Sequence, residues 1–342
     1  AAPAWLRELP AIDVLRRVLL QNYTRVITGG REVIKRREKE PEGDGLPPGH
    51  ARIASPYDTD ARWGVKREEF WLGYKLHVTE TCDDPPACTC PAAAGQPGAD
   101  AAGAGGCHAA GREHDKGCAQ LVFPNLITNV ATTDATVTDN QMTGAIGDDL
   151  AAKNLTPRRH YLDSGYLSAA LVVSELARHG IALIGPLLAD TSAQARAGQG
   201  YARADFTVDY DTKTVICPQG KTARSWSPCA QHGKDAIVAI FSITDCGPCP
   251  ARSQCTTSSK RRRHLTVLPR DLAEAQAAAR AAETTTGFQA DYARRAGVEG
   301  AMHQAASHGA RRARYRGLPK TRLDHVYMAC VLNLLRLEAY WT

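Results

Sequence analysis

The chain has 342 residues, 43% of them apolar and 23% charged, with a formal net charge of +6. That length holds one large domain or two, with enough apolar residues for a sizeable core. No run of about 18 uninterrupted apolar residues occurs, so no transmembrane helix is expected, and no secretory signal pattern opens the chain. Position 1 is Ala and the first residues already read as folded helix, so the chain is expected to start partway through a longer protein.

Pro3 to Gln21 reads as an amphipathic helix, with Leu6, Ile12, Leu15, Val18, Leu19 and Leu20 at the apolar positions. Gly29 to His50 is rich in charge, Gly and Pro and reads as an exposed linker. Residues 1–50 thus form an N-terminal helix and linker. Ser55-Pro56-Tyr57-Asp58 opens a more ordered region. Glu69 to Glu80 alternates as a strand, and Leu121 to Thr133, broken by Pro124, is its expected hairpin partner. Between them, residues 83–118 are largely Ala, Gly and Pro and read as a long mobile insertion.

Thr138 to Lys153 reads as a helix started by Asp139 or Asn140. His160 to Asp163 is a short strand, and Ala169 to His179 a helix stopped by Gly180. Ile181 to Leu188 is an apolar strand suited to parallel pairing. A strand–helix–strand order after a hairpin fits an α/β, RNase H-like fold, a mixed sheet flanked by helices. Residues 51–188 form the first part of that core. Over residues 189–263 the helical rhythm stops. Short β-like pieces, Phe206 to Tyr210, Thr214 to Cys217 and Ala236 to Ile243, mark a β-rich insertion. Residues 264–342 return to the core, with a helix over Asp271 to Ala282 and another over Gln289 to Ala306.

Charge is concentrated late in the chain. Between Ala251 and His325 stand 15 Lys and Arg against 6 acids. Such a field suits a polyanion, nucleic acid first, or else is a merely soluble basic surface. The runs are Lys260-Arg261-Arg262-Arg263 and Arg311-Arg312-Ala313-Arg314-Tyr315-Arg316, followed by Lys320. Either run could grip phosphates without sequence preference, with Tyr315 adding a stacking surface, or be a solvated face. Trp63 and Trp71 read as packing residues rather than base-stacking platforms.

Tyr292, Arg295 and Glu299 are spaced three and four apart, which puts them on one face of a helix. A solvated Arg–Glu pair satisfies that spacing, and so does a carboxylate that holds a metal ion beside phosphate-gripping neighbours. The pattern resembles the Tyr-x2-Arg-x3-Glu-x6-Lys/Arg signature of bacterial insertion-sequence transposases of the DDE class. The last position falls on Ala306, so the final basic residue is absent there, with His303, His308 or Arg311 as substitutes. Tyr161-Leu162-Asp163-Ser164-Gly165-Tyr166 resembles the family's second acidic motif, and Phe70 to His77 its hairpin strand. Arg311 to Gly317 resembles the basic segment after the glutamate, and Asn333-Leu334-Leu335-Arg336-Leu337 the closing helix. These motifs run in family order from about Ser55 to Thr342.

The resemblance implies strand cleavage and joining at transposon ends, with double-stranded DNA, ends and target, as partner. It also implies a cytoplasmic, nucleoid-associated location, with a homodimer as one candidate assembly. Phosphoryl transfer of this kind uses two hard cations, typically Mg2+, held by carboxylates from separate elements. By resemblance Asp163 and Glu299 are the second and third catalytic acids and Mg2+ ligands, with Tyr292 and Arg295 in support and Arg311, Arg312, Arg314, Arg316 and Lys320 on DNA. An Asx turn before Gly165 is the alternative for Asp163. The family's first acid lies in an Asp-Ser/Ala-Thr setting, and none precedes Trp71. Asp58, Asp60 and Asp83 lack that setting. The first acid is therefore expected upstream of Ala1, leaving this chain inactive alone. A non-catalytic DNA-binding remnant and an RNase H-like nuclease are the rival readings.

Eleven cysteines are an odd count in a chain without an export signal, which argues against a disulfide framework. Cys217, with Cys246-x2-Cys249-x5-Cys255, supplies four thiolates for a structural Zn2+ site, Cys229 being the spare. Free thiols and disulfides are the alternatives. Cys82, Cys88, Cys90, Cys107, His108, His114 and Cys118 are ligand types as well, but their Ala/Gly spacers fix no geometry.

Overall fold

The computed structural model describes residues 3–38, 45–66, 68–82, 124–231 and 233–342. In chain order the first elements are helix α1 (Pro10–Asn22) and strands β1 (Tyr23–Thr28), β2 (Arg31–Arg36), β3 (Arg62–Lys66), β4 (Glu69–Glu80) and β5 (Ile127–Asp134). Next come α2 (Asp139–Ala152), β6 (Arg159–Tyr161), α3 (Ala169–His179), β7 (Ala182–Ile184) and α4 (Ala193–Ala197). Strands β8 (Thr207–Asp209), β9 (Thr214–Ile216), β10 (Ser225–Gln231) and β11 (Lys234–Ile240) lead to the short helices α5 (Ile243–Cys246) and α6 (Arg252–Cys255). Strand β12 (His264–Val267) precedes α7 (Arg270–Glu283), α8 (Thr286–Tyr292), α9 (Ala296–Ala305) and α10 (Leu318–Trp341). This is a mixed α/β architecture of small sheets, antiparallel except for the parallel β6–β7 pair. Contacts divide it into two units, Ala1–Val137 with Arg294–Thr342, and Thr138–Ala293.

In the first unit, Pro10 stands at the first turn of α1, where its missing N–H costs nothing. Residues Ala4–Glu8 form a separate 3-10 turn, so the helix read over Pro3 to Gln21 is divided. Residues 23–36 are a hairpin where the composition had suggested linker from Gly29 onward. Gly29 and Gly30 both have positive φ (61° and 75°), the conformation that a two-residue hairpin loop demands. Strand β4 pairs antiparallel with β5, Tyr74 opposite Asp134 and Val78 opposite Val130, as the alternation predicts. Strand β5 starts only at Ile127, beyond Pro124.

Helix α10 packs on this sheet. Ile127, Ala305, Ala329 and Leu332 form its buried core, with Leu76, Val78 and Val130 against them. Burying a side chain such as Leu332 contributes about 1.5 to 3 kcal/mol. Polar clasps fix the register. Asn333 accepts from the Ile127 N–H at 2.8 Å and donates to its carbonyl at 2.9 Å. The start of α10 is held by Asp60, whose carboxylate accepts from the Leu318 N–H at 2.9 Å.

In the second unit, α2 opens with a capping box between Thr138 and Gln141. Helix α3 ends on Gly180 at φ +68°, the stop read from the sequence. Strand β7 is shorter than the apolar run 181–188, because Gly185-Pro186 follows and Pro has no N–H for the ladder. Leu162, Leu167 and Leu187 form one core, with Leu183 and Ala279 packed on it. The cysteine-bearing segment has its own core, Phe206, Val215, Ile237, Ala239, Phe241, Leu265 and Val267, under the β10–β11–β12 sheet.

Candidate catalytic and metal-binding sites

Asp163 follows β6 and caps the 3-10 turn Ser164–Tyr166. Its Oδ1 accepts from the Ser164 N–H at 2.8 Å, while the side chain stays exposed. The turn-forming role and an accessible carboxylate therefore coexist. Two further groups frame this corner. The Tyr292 hydroxyl donates to the Leu162 carbonyl at 3.3 Å, one residue before Asp163. Asp291 accepts from the Tyr161 hydroxyl at 2.8 Å and from Arg159 at 3.0 Å. The end of α8 is thereby tied to the strand that delivers Asp163. Asp139, at the start of α2, lies so close to Gly165 that an added Cβ there would stand 3.1 Å from its Oδ2. The sequence reading passed over both Asp139 and Asp291 as acids near this turn, because neither falls in a motif.

The helix expected over Gln289 to Ala306 is not continuous. It breaks at a 3-10 turn, Ala293–Arg295, between α8 and α9. In the first unit, Glu299 lies on α9 with its side chain 71% exposed, ion-paired with Arg295 at 3.1 Å. Such an exposed pair stabilises by less than about 1 kcal/mol, and it is the solvated Arg–Glu pair that the spacing also allows. Gly297 brings α9 close to the end of β4, where a Cβ would meet Glu80 Oε1 at 3.2 Å. Glu80 is itself ion-paired with Arg336 at 3.0 Å.

Asp58 and Asp60 serve structural ends in this unit. Asp58 accepts from the Tyr74 hydroxyl at 2.6 Å and from the Asp60 and Ala61 N–H groups. Burial pushes the Asp58 carboxyl up, but the hydrogen bonds from Tyr74 and from the Gly317, Ala61 and Asp60 backbone outweigh it and hold it below the usual value. Asp83 and the Cys88, Cys90, Cys107, His108, His114 and Cys118 group lie outside the described residues.

The basic side chains Arg311, Arg312, Arg314, Arg316 and Lys320 are all exposed, on the segment between α9 and α10 and on its first turn. Arg316 stacks over the Tyr57 ring at 5.3 Å, and Tyr315 is half exposed. Trp63 is 54% exposed rather than packed in a core, whereas Trp71 lies over Gly64.

Cys217, Cys246, Cys249 and Cys255 line one small cavity of about 30 Å3, together with Arg252 and Arg263. All four are free thiols, and the spare, Cys229, stands on β10 outside that cavity. The Lys221 N–H points at Cys217 Sγ at 3.4 Å, and the Cys249 N–H closes a turn on the Cys246 carbonyl. Burial pushes the Cys255 thiol up, Arg263 pulls it back, and Cys246, Cys217 and Cys249 push it up again. Among the described residues, however, no three His, Cys, Asp or Glu side chains stand close enough to hold a metal ion as they are. The Zn2+ set expected from the sequence is therefore not preformed. Among the same residues no helix is long and apolar enough to cross a membrane.

Residues 216–338, just over a third of the chain, match the family described as Transposase DDE domain. The match takes in the Tyr292-x2-Arg295-x3-Glu299 pattern, the basic segment and the four cysteines, and it supports a DDE-type transposase. Transposases of that family normally use divalent metal ions, and the match suggests DNA as the partner class. No curated protein and no solved structure matches the chain.

Proposed function

We propose that this chain is the catalytic region of an insertion-sequence DDE transposase with an RNase H-like core. It acts on double-stranded DNA at transposon ends, in the nucleoid, and works as a homodimer. The observation that carries the reading is the family match over 216–338, which falls on the Tyr292, Arg295 and Glu299 signature. What supports the core is the chain order, an antiparallel β4–β5 hairpin and then the parallel β6–β7 pair, although the two belong to separate sheets. Asp163 and Glu299 are the acids that hold Mg2+, and the support for pairing them is the order and spacing of the motifs. When bound, the cation activates the attacking oxygen and neutralises the leaving one. Arg311, Arg312, Arg314, Arg316 and Lys320 contact phosphates. The β-rich segment 189–263 is an insertion between the two acids, stapled by Zn2+ at its four cysteines.

A second reading, a non-catalytic DNA-binding remnant, gains from the structural use of Asp58 and Asp60, which leaves the first acid of the triad unassigned. The isolated 342 residues are therefore expected to bind ends without joining strands. The test compares a duplex carrying the ends that flank the coding region with a scrambled duplex. At least tenfold preference for the ends supports the transposase. Equal affinity contradicts end recognition. Mg2+-dependent joining by the isolated chain would assign the missing role to Asp58, Asp60 or Asp83, and cutting without joining would favour a nuclease.

A further inference from the structure

The cysteine cavity and the first basic run are mechanically continuous. Helix α6 ends on Cys255, and the Cys255 carbonyl accepts from Arg263 Nη1 at 2.7 Å and from Gln194 Nε2 at 3.1 Å. Arg263 also lies over the Phe206 ring at 5.7 Å, and its carbonyl accepts from the Phe241 N–H. The loop between is closed by short bonds, Arg261 N–H to the Ser258 carbonyl and Lys260 N–H to Ser258 Oγ. Arg261 sits at φ +51°, a left-handed conformation uncommon for an arginine. Lys260 and Arg261 project into solvent, with Arg262 half-buried beside them.

Charge fits a thiophilic dication at the base of this loop. Four thiolates around one divalent ion carry a net charge of about −2. Arg252 and Arg263, both on the cavity wall, neutralise that charge. The Lys221 N–H aimed at Cys217 Sγ is the kind of donor that a metal-bound thiolate accepts. Rotation of the four side chains inward is needed to close the set, since no three of them yet stand at ligand spacing. The loop's own field is positive. Burial lowers the His264 imidazole, and Arg262 and Lys260 lower it further.

We propose that Cys217, Cys246, Cys249 and Cys255 bind one Zn2+, and that this centre locks the 256–263 loop so that Lys260, Arg261 and Arg262 grip duplex DNA phosphates. The grip is a second backbone contact, separate from the 311–316 segment. It rests on the DNA partner of the preceding reading, but not on catalysis or end recognition.

The test uses the full chain. Zinc is measured by plasma mass spectrometry, and Co2+ replaces it to report thiolate coordination by its charge-transfer absorption. Affinity for a random 25-base-pair duplex is followed against salt concentration. The expected result is one zinc per chain, lost in Cys249→Ser. On chelation the slope of log affinity against log salt falls by about 2 to 3, as for three released phosphate contacts. The K260Q/R261Q/R262Q variant, loaded with zinc, shows the same fall, and chelating it changes nothing more. Re-adding Zn2+ to chelated wild type restores the slope, which guards against a variant that simply unfolds. No zinc at the cysteines, or a salt slope indifferent to zinc, overturns the proposal and leaves the transposase reading standing. Zinc-dependent binding without any preference for transposon ends does the reverse.

Discussion

Several side chains in this protein act through backbone partners far away in sequence. Tyr292 is legible as part of a spaced motif, but its acceptor, the carbonyl of Leu162, is not, because backbone groups leave no trace in residue identity. Asp58 and Asp60 lack the sequence setting of a catalytic acid, and only their partners, Tyr74 and the Leu318 N–H, reveal their use. His160 yields a prediction at this scale. Burial drops its imidazole from 6.5 to about 4. The unfolded chain therefore takes up a proton near pH 6.5 that the folded chain refuses until about pH 4. The stability it contributes is complete above pH 6.5, is lost as pH falls through that window, and changes no further below it. Between pH 7.5 and pH 5 urea denaturation should show a loss of roughly 2 kcal/mol from this residue. His160→Gln should flatten that slope, and an unchanged slope would contradict the assignment.

Elements were legible where one face is buried and caps are explicit. Helix α3 with its Gly180 stop and the β4–β5 hairpin lie close to where the periodicity puts them, and so does α7, although it has no side-chain cap and no fully buried residue. The reading fails where turn chemistry was outweighed by composition. Charge masked the Gly29–Gly30 turn and so the β1–β2 hairpin, although two β-branched runs flank it. Strand β10 was hidden by Pro228. The seam between α10 and the sheet is the element-level feature with the largest consequence. Arg336 bonds Glu80 at 3.0 Å, the Asn125 carbonyl at 2.7 Å and Gln304 at 3.0 Å. Glu80 is only 5% exposed. Arg336→Met leaves that carboxylate buried and unpaired, which costs about 3 to 5 kcal/mol. Adding Glu80→Gln should recover most of the loss. A single-variant cost below about 1 kcal/mol in urea unfolding would show that the pair is not needed.

At the scale of the whole molecule, the α/β class could be read from the chain and the division into units could not. The boundary at Val137/Thr138 falls where the predicted helix over Thr138 to Lys153 starts, and that at Ala293/Arg294 falls within the predicted helix over Gln289 to Ala306, neither with the Gly or Pro that usually marks a border. The second boundary passes through the Tyr292 to Glu299 motif itself. Only contacts between residues remote in sequence define such units, and a single chain's pattern does not encode them. The same holds for the catalytic proposal, whose two acids are 136 positions apart in the numbering. Iron-directed cleavage tests it most directly. Fe2+ in place of Mg2+, with hydrogen peroxide as oxidant and ascorbate to recycle the iron, generates hydroxyl radicals that cut the backbone near the bound ion. The account predicts two sets of cuts, around Asp163 and around Glu299, both suppressed by excess Mg2+ and both lost in either Asp163→Asn or Glu299→Gln. Cuts at neither place, or cuts at Asp163 that survive Glu299→Gln, would contradict it.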